Sequence, residues 1–227
     1  MINSVKKSVK ENKDKKRYMK ILNIQDYQEK EFFDVDGCGL EIEFGVEYEQ
    51  RCWRYIGTGL QKMKDFVGNR GKFVLDDSIG RFLNVEIVLH PFTLEKLKPI
   101  FMGIVDILNF YENFVFDDNC GIHANFRADD KLKESFYNVI TDGRYDSERF
   151  CHSKYKKDFN ETITNPDGTK KTYEEYLVYQ NTVGAKYCGI NFLKPNLVEV
   201  RTLNLAWEDI EFFYSAYEEA KNRTSAQ

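Results

Sequence analysis

Residues 40–49 alternate strictly, with Leu40, Ile42, Phe44, Val46 and Tyr48 apolar and Glu41, Glu43, Glu47 and Glu49 among the residues between them. Successive side chains on a strand point to opposite faces, so the pattern predicts one long strand with a greasy face and an acidic face. Three further segments repeat the device: Val85–Leu89 carries Glu86 and leads to His90, Gly121–Phe126 carries His123 and Asn125, and Leu197–Arg201 carries Glu199 and Arg201. If these strands pair, their polar residues converge. A face holding several carboxylates is unfavourable unless cations sit among them.

Elsewhere the period lengthens. Trp53, Ile56, Leu60, Met63, Phe66 and Val67 recur at three- and four-residue steps, which predicts an amphipathic helix closed by Gly68–Gly71. Lys72–Leu75 and Val85–Leu89 read as strands flanking a turn at Asp76–Gly80, and Thr93 as the N-cap of a helix bearing Leu94, Leu97, Phe101, Val105 and Leu108. Helical patterning returns at Lys131–Ile140, around Ser147–Tyr155 and at Trp207–Asn222, with strands at Tyr187–Phe192 and Leu197–Leu203. Between Lys156 and Tyr173 a polar stretch centred on Asn165-Pro-Asp-Gly168 predicts a projecting hairpin or a mobile loop able to cover substrate. The elements imply an α+β fold: a mostly antiparallel sheet with helices on its apolar face and an open face for an active site.

Charge changes the picture at the N-terminus. Residues 1–20 hold eight Lys or Arg against Glu11 and Asp14, so a formal net charge of −4 leaves about −10 for residues 21–227. The expectation is a basic, flexible tail that offers the only route to nucleic acid, ahead of a single catalytic domain. The five cysteines are odd in number and lack C-x-x-C spacing, which points to reduced thiols and a cytoplasmic setting. Neither a secretory signal nor a membrane-spanning apolar run is expected.

The polar face suits phosphoryl transfer, because magnesium is held by one or two carboxylates together with substrate phosphates. Neither a P-loop nor a G-x-G-x-x-G pattern occurs, so phosphates must be held by metal and basic side chains. Arg201 is placed to stabilise charge on a transferring group.

In order and spacing, Glu41-Ile-Glu43, Asp76-Asp-Ser78, Glu86-Ile-Val88 with Pro91, Cys120-Gly-Ile-His-Ala-Asn125, Lys186-Tyr-Cys-Gly-Ile-Asn191 and Glu199-Val-Arg201 resemble the motifs of the amidoligase family. These are carboxylate–amine ligases related to glutamine synthetase and glutamate–cysteine ligase, and the resemblance spans roughly Gly37 to Tyr217. It implies a glutamine-synthetase-like sheet, ATP, and Mg2+ with Mn2+ as an alternative. It also implies metal ligands Glu41, Glu43, Glu86, His123 and Glu199, and nucleotide contacts from Ser78, Asn125, Lys186, Asn191 and Arg201. Catalysis would fall to Glu43, Glu199 and Arg201, with either Glu199 or Glu47 accepting the amine's proton. Substrates would be a small-molecule amine and carboxylate, or a protein or peptide acceptor. Asn125 stands where the family has a second histidine, and its amide oxygen remains a ligand. A non-catalytic nucleotide- or partner-binding member and a metal-dependent amide hydrolase are the alternatives.

Overall fold

The computed structural model describes residues 2–24, 37–49, 52–75, 81–117, 120–142, 159–185, 188–203 and 205–226. Its elements are α1 (Ile2–Leu22), β1 (Cys38–Val46), α2 (Trp53–Val67), β2 (Gly71–Leu75), β3 (Leu83–Leu89), α3 (Leu94–Phe110), β4 (Phe114–Val115), β5 (Ile122–Arg127), α4 (Asp130–Thr141), α5 (Phe159–Ile163), α6 (Tyr173–Val183), β6 (Ile190–Asn191), β7 (Leu197–Leu203) and α7 (Trp207–Ser225). The strands form one open sheet in the order β2-β3-β1-β5-β7-β6, with β4 beside the end of β1, and every pairing is antiparallel. This is the α+β architecture that the alternation predicts.

Alternation also decides where the core lies. Leu40, Ile42, Phe44 and Val46 of β1 are fully buried, as are Val85 and Ile87 of β3, Ile122 and Phe126 of β5, and Val198 and Val200 of β7. They share one core with Leu60 and Met63 of α2, Leu97 and Phe101 of α3, Phe136 of α4, and Phe213 and Tyr217 of α7. Phe126 stacks on Tyr217 with ring centroids 4.9 Å apart. Each such side chain contributes about 1.5–3 kcal/mol through burial, so the greasy faces fix the strand register. A slip of one residue would turn the acids into the apolar core and the apolar residues onto the polar face.

The free edge of β6 is occupied by a helix that the apolar pattern did not predict. Helix α6 starts with a capping box, in which the Thr172 hydroxyl accepts from the Glu175 N–H and the Glu175 carboxylate accepts from the Thr172 N–H. It buries Tyr173, Tyr176 and Gln180. The Gln180 amide pairs with β6 as a strand would: Nε2 donates to the Ile190 carbonyl and Oε1 accepts from the Phe192 N–H. Over its described part the expected Lys156–Tyr173 segment keeps the hairpin at the Asn165–Gly168 turn. It holds α5, a Thr164–Lys170 bridge across the foreseen turn, and a buried Ile163. Tyr137 Oη donates to the Lys171 carbonyl at 2.8 Å, tying the segment to α4.

The N-terminal segment also departs from expectation. It is a helix packed on α2, with Tyr18 and Leu22 buried and Tyr18 Oη donating to the Trp53 carbonyl at 2.9 Å. The apolar stripe Tyr18, Ile21, Leu22 lies at the end of the basic run, and a boundary drawn at residue 20 cuts through it. Strand β6 is shorter than the expected Tyr187–Phe192, and β4 was not anticipated. The turn at Asp76–Gly80 and the patterned Ser147–Tyr155 segment lie outside the described residues. Cys38, Cys52, Cys120 and Cys188 form no disulfide. No described helix is long and apolar enough to cross a membrane.

Docking of α1 makes a measurable difference. Leu22→Ala is expected to lower unfolding free energy by about 2–5 kcal/mol, as for other buried leucines. A loss below about 0.5 kcal/mol in urea titration would mark the segment as a surface tail.

Candidate functional site

Residues directly opposite one another in an antiparallel pair share a face, so the register builds the site row by row. Glu43 lies opposite Glu86, and Glu41 opposite His123. In the next row Asn125 is opposite Glu199, which in turn is opposite Asn191. The β5–β7 register shifts at one point: only His123 lies between Ile122 and Ala124, whereas Arg201 and Thr202 lie between their partners Val200 and Leu203. A bulge of this kind bends a strand and redirects its side chains. Here it falls where Arg201 joins the row of His123.

The sheet is open, yet these side chains are not solvated. Glu41, Glu86, His123, Asn125, Asn191 and Glu199 are all buried, Glu199 to 1 % exposure. Glu43 and Arg201 are slightly more accessible, at 13 % and 21 % of their side chains. Burial of this order obliges each group to find a partner. Glu41 accepts from Asn125 Nδ2 at 2.9 Å and lies 3.1 Å from His123 Nδ1. Glu199 accepts from Asn191 Nδ2 at 3.0 Å, Arg201 Nη1 at 3.1 Å and Lys194 Nζ at 2.7 Å. The backbone N–H of Leu193 donates in turn to Asn191 Oδ1.

His123 is the hinge between the carboxylates. Its Nδ1 faces Glu41 and, at 3.8 Å, Glu199, while its Nε2 faces Glu43 at 3.6 Å. Burial lowers its pKa below the ordinary histidine value, Glu41 raises it, and Arg201 lowers it further. A neutral ring can offer Nδ1 to a cation between Glu41 and Glu199 and keep its proton on Nε2, across a gap of 3.6 Å from Glu43. Gly121 keeps that gap open, since a Cβ there would meet Glu43 Oε2 at 3.2 Å and His123 Nε2 at 3.3 Å.

Glu199 behaves differently. Burial pushes its carboxyl up, but Arg201, His123 and Lys194 outweigh burial and hold the pKa at about 2. A carboxylate held this low is a weak proton acceptor. Glu47 is no better placed: it pairs with Arg81 at 2.7 Å at the far end of β1 and is half-exposed.

One ligand atom from each of Glu41, His123 and Glu199 falls within 4.8 Å of the others, a spacing that fits a single metal ion. Beside them, Asn125 Oδ1 is buried without a hydrogen-bond partner. An unpartnered amide oxygen on a residue that is bonded to Glu41 and lies opposite Glu199 is chemically a candidate cation ligand.

The structure therefore brings Glu41, Glu43, Glu86, His123, Asn125, Glu199 and Arg201 together on one face, as the spacing predicted, and adds Asn191, which the resemblance had singled out. Ser78 and Lys186 lie outside the described residues. Sequence reasoning missed Lys194 and Arg81. Lys194 sits in the short β6–β7 connection, where Asn196 takes a φ of 52° and turns the chain back. The hairpin spacing between Asn191 and Glu199 was its available signal. Arg81 lies across Gly45 and bridges Glu47 and Asp117. No protein-family model matches the chain, and no curated protein matches it.

A carboxyl depressed from 4.5 to about 2 adds stability that is fully present above pH 4.5 and is lost as pH falls toward 2. Urea unfolding across that window is expected to show a steeper decline for the native protein than for Glu199→Gln. Parallel declines would remove Glu199 from the ion cluster.

Proposed function

We propose that this chain is an ATP- and Mg2+-dependent carbon–nitrogen ligase of the amidoligase type, on a glutamine-synthetase-like sheet, joining a carboxylate to an amine through an acyl phosphate. The observation that carries the reading is the convergence of Glu41, His123 and Glu199 to within reach of one metal ion, with Asn125, whose Oδ1 has no hydrogen-bond partner, bonded to Glu41. The donor set fits a hard divalent cation, three oxygen donors and one imidazole, and suits Mn2+ as well as Mg2+. The order of the six motifs along the chain supplies the reaction class.

Glu41, Glu199, His123 and Asn125 would hold the cation, with Glu43 and Glu86 extending the acidic row. A bound metal–nucleotide would supply an electrophilic phosphoryl group with its charge partly neutralised. Arg201, anchored to Glu199 and held by the bulge, would steady negative charge as phosphate moves onto the substrate carboxylate. Asn191 would fix the Glu199 carboxylate in one orientation. Glu43, the more accessible acid beside His123 Nε2, would accept the amine's proton before the amide forms.

The deciding assay is phosphate release from ATP in the presence of pooled carboxylates and amines. The reading requires release that depends on ATP, divalent metal and both substrates together. Amide cleavage with metal alone would replace it with a hydrolase, and nucleotide binding without turnover with a non-catalytic member. Saturating Mn2+ at about 100 times its dissociation constant is expected to stabilise the native fold by about 2.7 kcal/mol. Glu41→Gln should abolish that gain while remaining folded; an undiminished gain would remove Glu41 from the cation site.

A further inference from the structure

We propose that the surface between α1 and α2 binds single-stranded nucleic acid. The two helices enclose a groove of ≈ 750 Å³ whose walls include Arg17 and Ile21 of α1 and Trp53, Arg54, Gly57 and Lys62 of α2. Gly57 lies where α2 passes beneath α1, and a Cβ there would make ordinary contacts with Ile21 Cδ1 at 3.6 Å and Tyr18 Cε1 at 3.8 Å. Trp53 is the aromatic centre of the groove, with the Arg17 guanidinium 4.7 Å and the Arg54 guanidinium 5.1 Å from its ring centroid. Stacking on the indole positions each guanidinium while leaving its in-plane N–H groups available to anionic oxygen.

The cation–aromatic alternation continues out of the groove. Lys62 Nζ lies 5.2 Å over the ring of Phe110, which is 62 % exposed, and Tyr55, 41 % exposed, donates its hydroxyl to the Phe110 carbonyl at 3.1 Å. Tyr111 backs this platform, its ring centroid 4.8 Å from that of Tyr55 and 5.0 Å from that of Phe110. Open aromatic faces beside a track of cations are the means by which proteins hold unpaired bases and their phosphates without sequence preference. Asp65 is the acid in the groove lining, and it accepts from Gln61 Nε2 at 2.8 Å.

Charge favours this occupant over an apolar one. The exposed side chains of Lys13, Lys16 and Lys20 extend the basic track along α1. Helix α1 carries a surplus of six positive charges, whereas the rest of the chain is about −10, so a polyanion is attracted to this surface and repelled elsewhere. Basic residues alone make a poor single-strand site because they offer nothing for a base to stack on. The fold supplies the aromatics from α2 and from the end of α3. None of these residues belongs to the acidic face, so the surface stands or falls independently of the ligase reading.

The test is titration of the full chain with 15-nucleotide dT and rU homopolymers, monitored by tryptophan fluorescence. Of the two tryptophans Trp207 is buried in the core, so quenching reports Trp53. Both strands should quench and bind, and affinity should fall with salt. The log–log salt slope should shrink by roughly 0.7 for each phosphate contact removed in Arg17→Glu with Arg54→Glu. Phe110→Ala, at an exposed site with no expected effect on folding, should weaken single strands roughly tenfold and leave duplex binding unchanged. Binding of one homopolymer alone would identify the sugar or base class. Absence of binding at low salt, equal affinity for duplex, or equal affinity for heparin or polyglutamate with no effect of Phe110→Ala, would each overturn the proposal.

Discussion

Everything at the candidate site depends on one awkward fact: carboxylates are buried side by side on a β-sheet. Glu41 and Glu199 are as hidden as core leucines, and a charge removed from water must be met by charge or by donors of comparable strength. The protein meets Glu199 fully, with Arg201, Lys194 and Asn191 on its two oxygens. Glu41 is met by Asn125 and His123, groups that are neutral or nearly so in that setting. The asymmetry separates two kinds of work. Glu199 is held as an anion by its cations, while Glu41 accepts an amide N–H and faces an imidazole.

The hydrophobic layer is what makes that arrangement sustainable. Each polar row is held in register by apolar residues one position away on the same strands, and these are locked against α2, α3, α4 and α7. Loss of packing beneath β1 would therefore reach Glu41 and Glu43 without touching them. The bulge between β5 and β7 is the exception to regular alternation, and it lies at Arg201 beside His123. Irregular pairing costs ladder hydrogen bonds, and sheets retain it where a side chain must be aimed.

The same division of charge separates two surfaces. Acids are gathered on the sheet, whereas the cations of α1 are carried by a helix docked through Tyr18 and Leu22. A docked helix holds its charges at fixed distances from Trp53 and Arg54; a free tail would spread them over a large volume. This is why Arg17 acquires Trp53 as a defined neighbour only once α1 is folded against α2.

Local patterning was enough to reveal the strands of the site, because period-two alternation is a property of the chain itself and does not depend on what the strand pairs with. Glu41, Glu43, Glu86, His123, Asn125, Glu199 and Arg201 were each legible in this way, as were the helices beginning at Trp53, Leu94 and Trp207. What the sequence could not supply was anything set by neighbours distant along the chain. Helix α6 has little apolar periodicity of its own and is held by a capping box and by Gln180 against β6. Lys194 reaches Glu199 only because a short hairpin folds it back, and Tyr18 and Leu22 read as the end of a charged tail until α2 covers them. The sequence determined which residues share a face. Tertiary structure alone decided how deeply that face is buried and which cations and amides meet each carboxylate, because desolvation and Coulomb energy depend on distances through space that alternation along a strand does not encode.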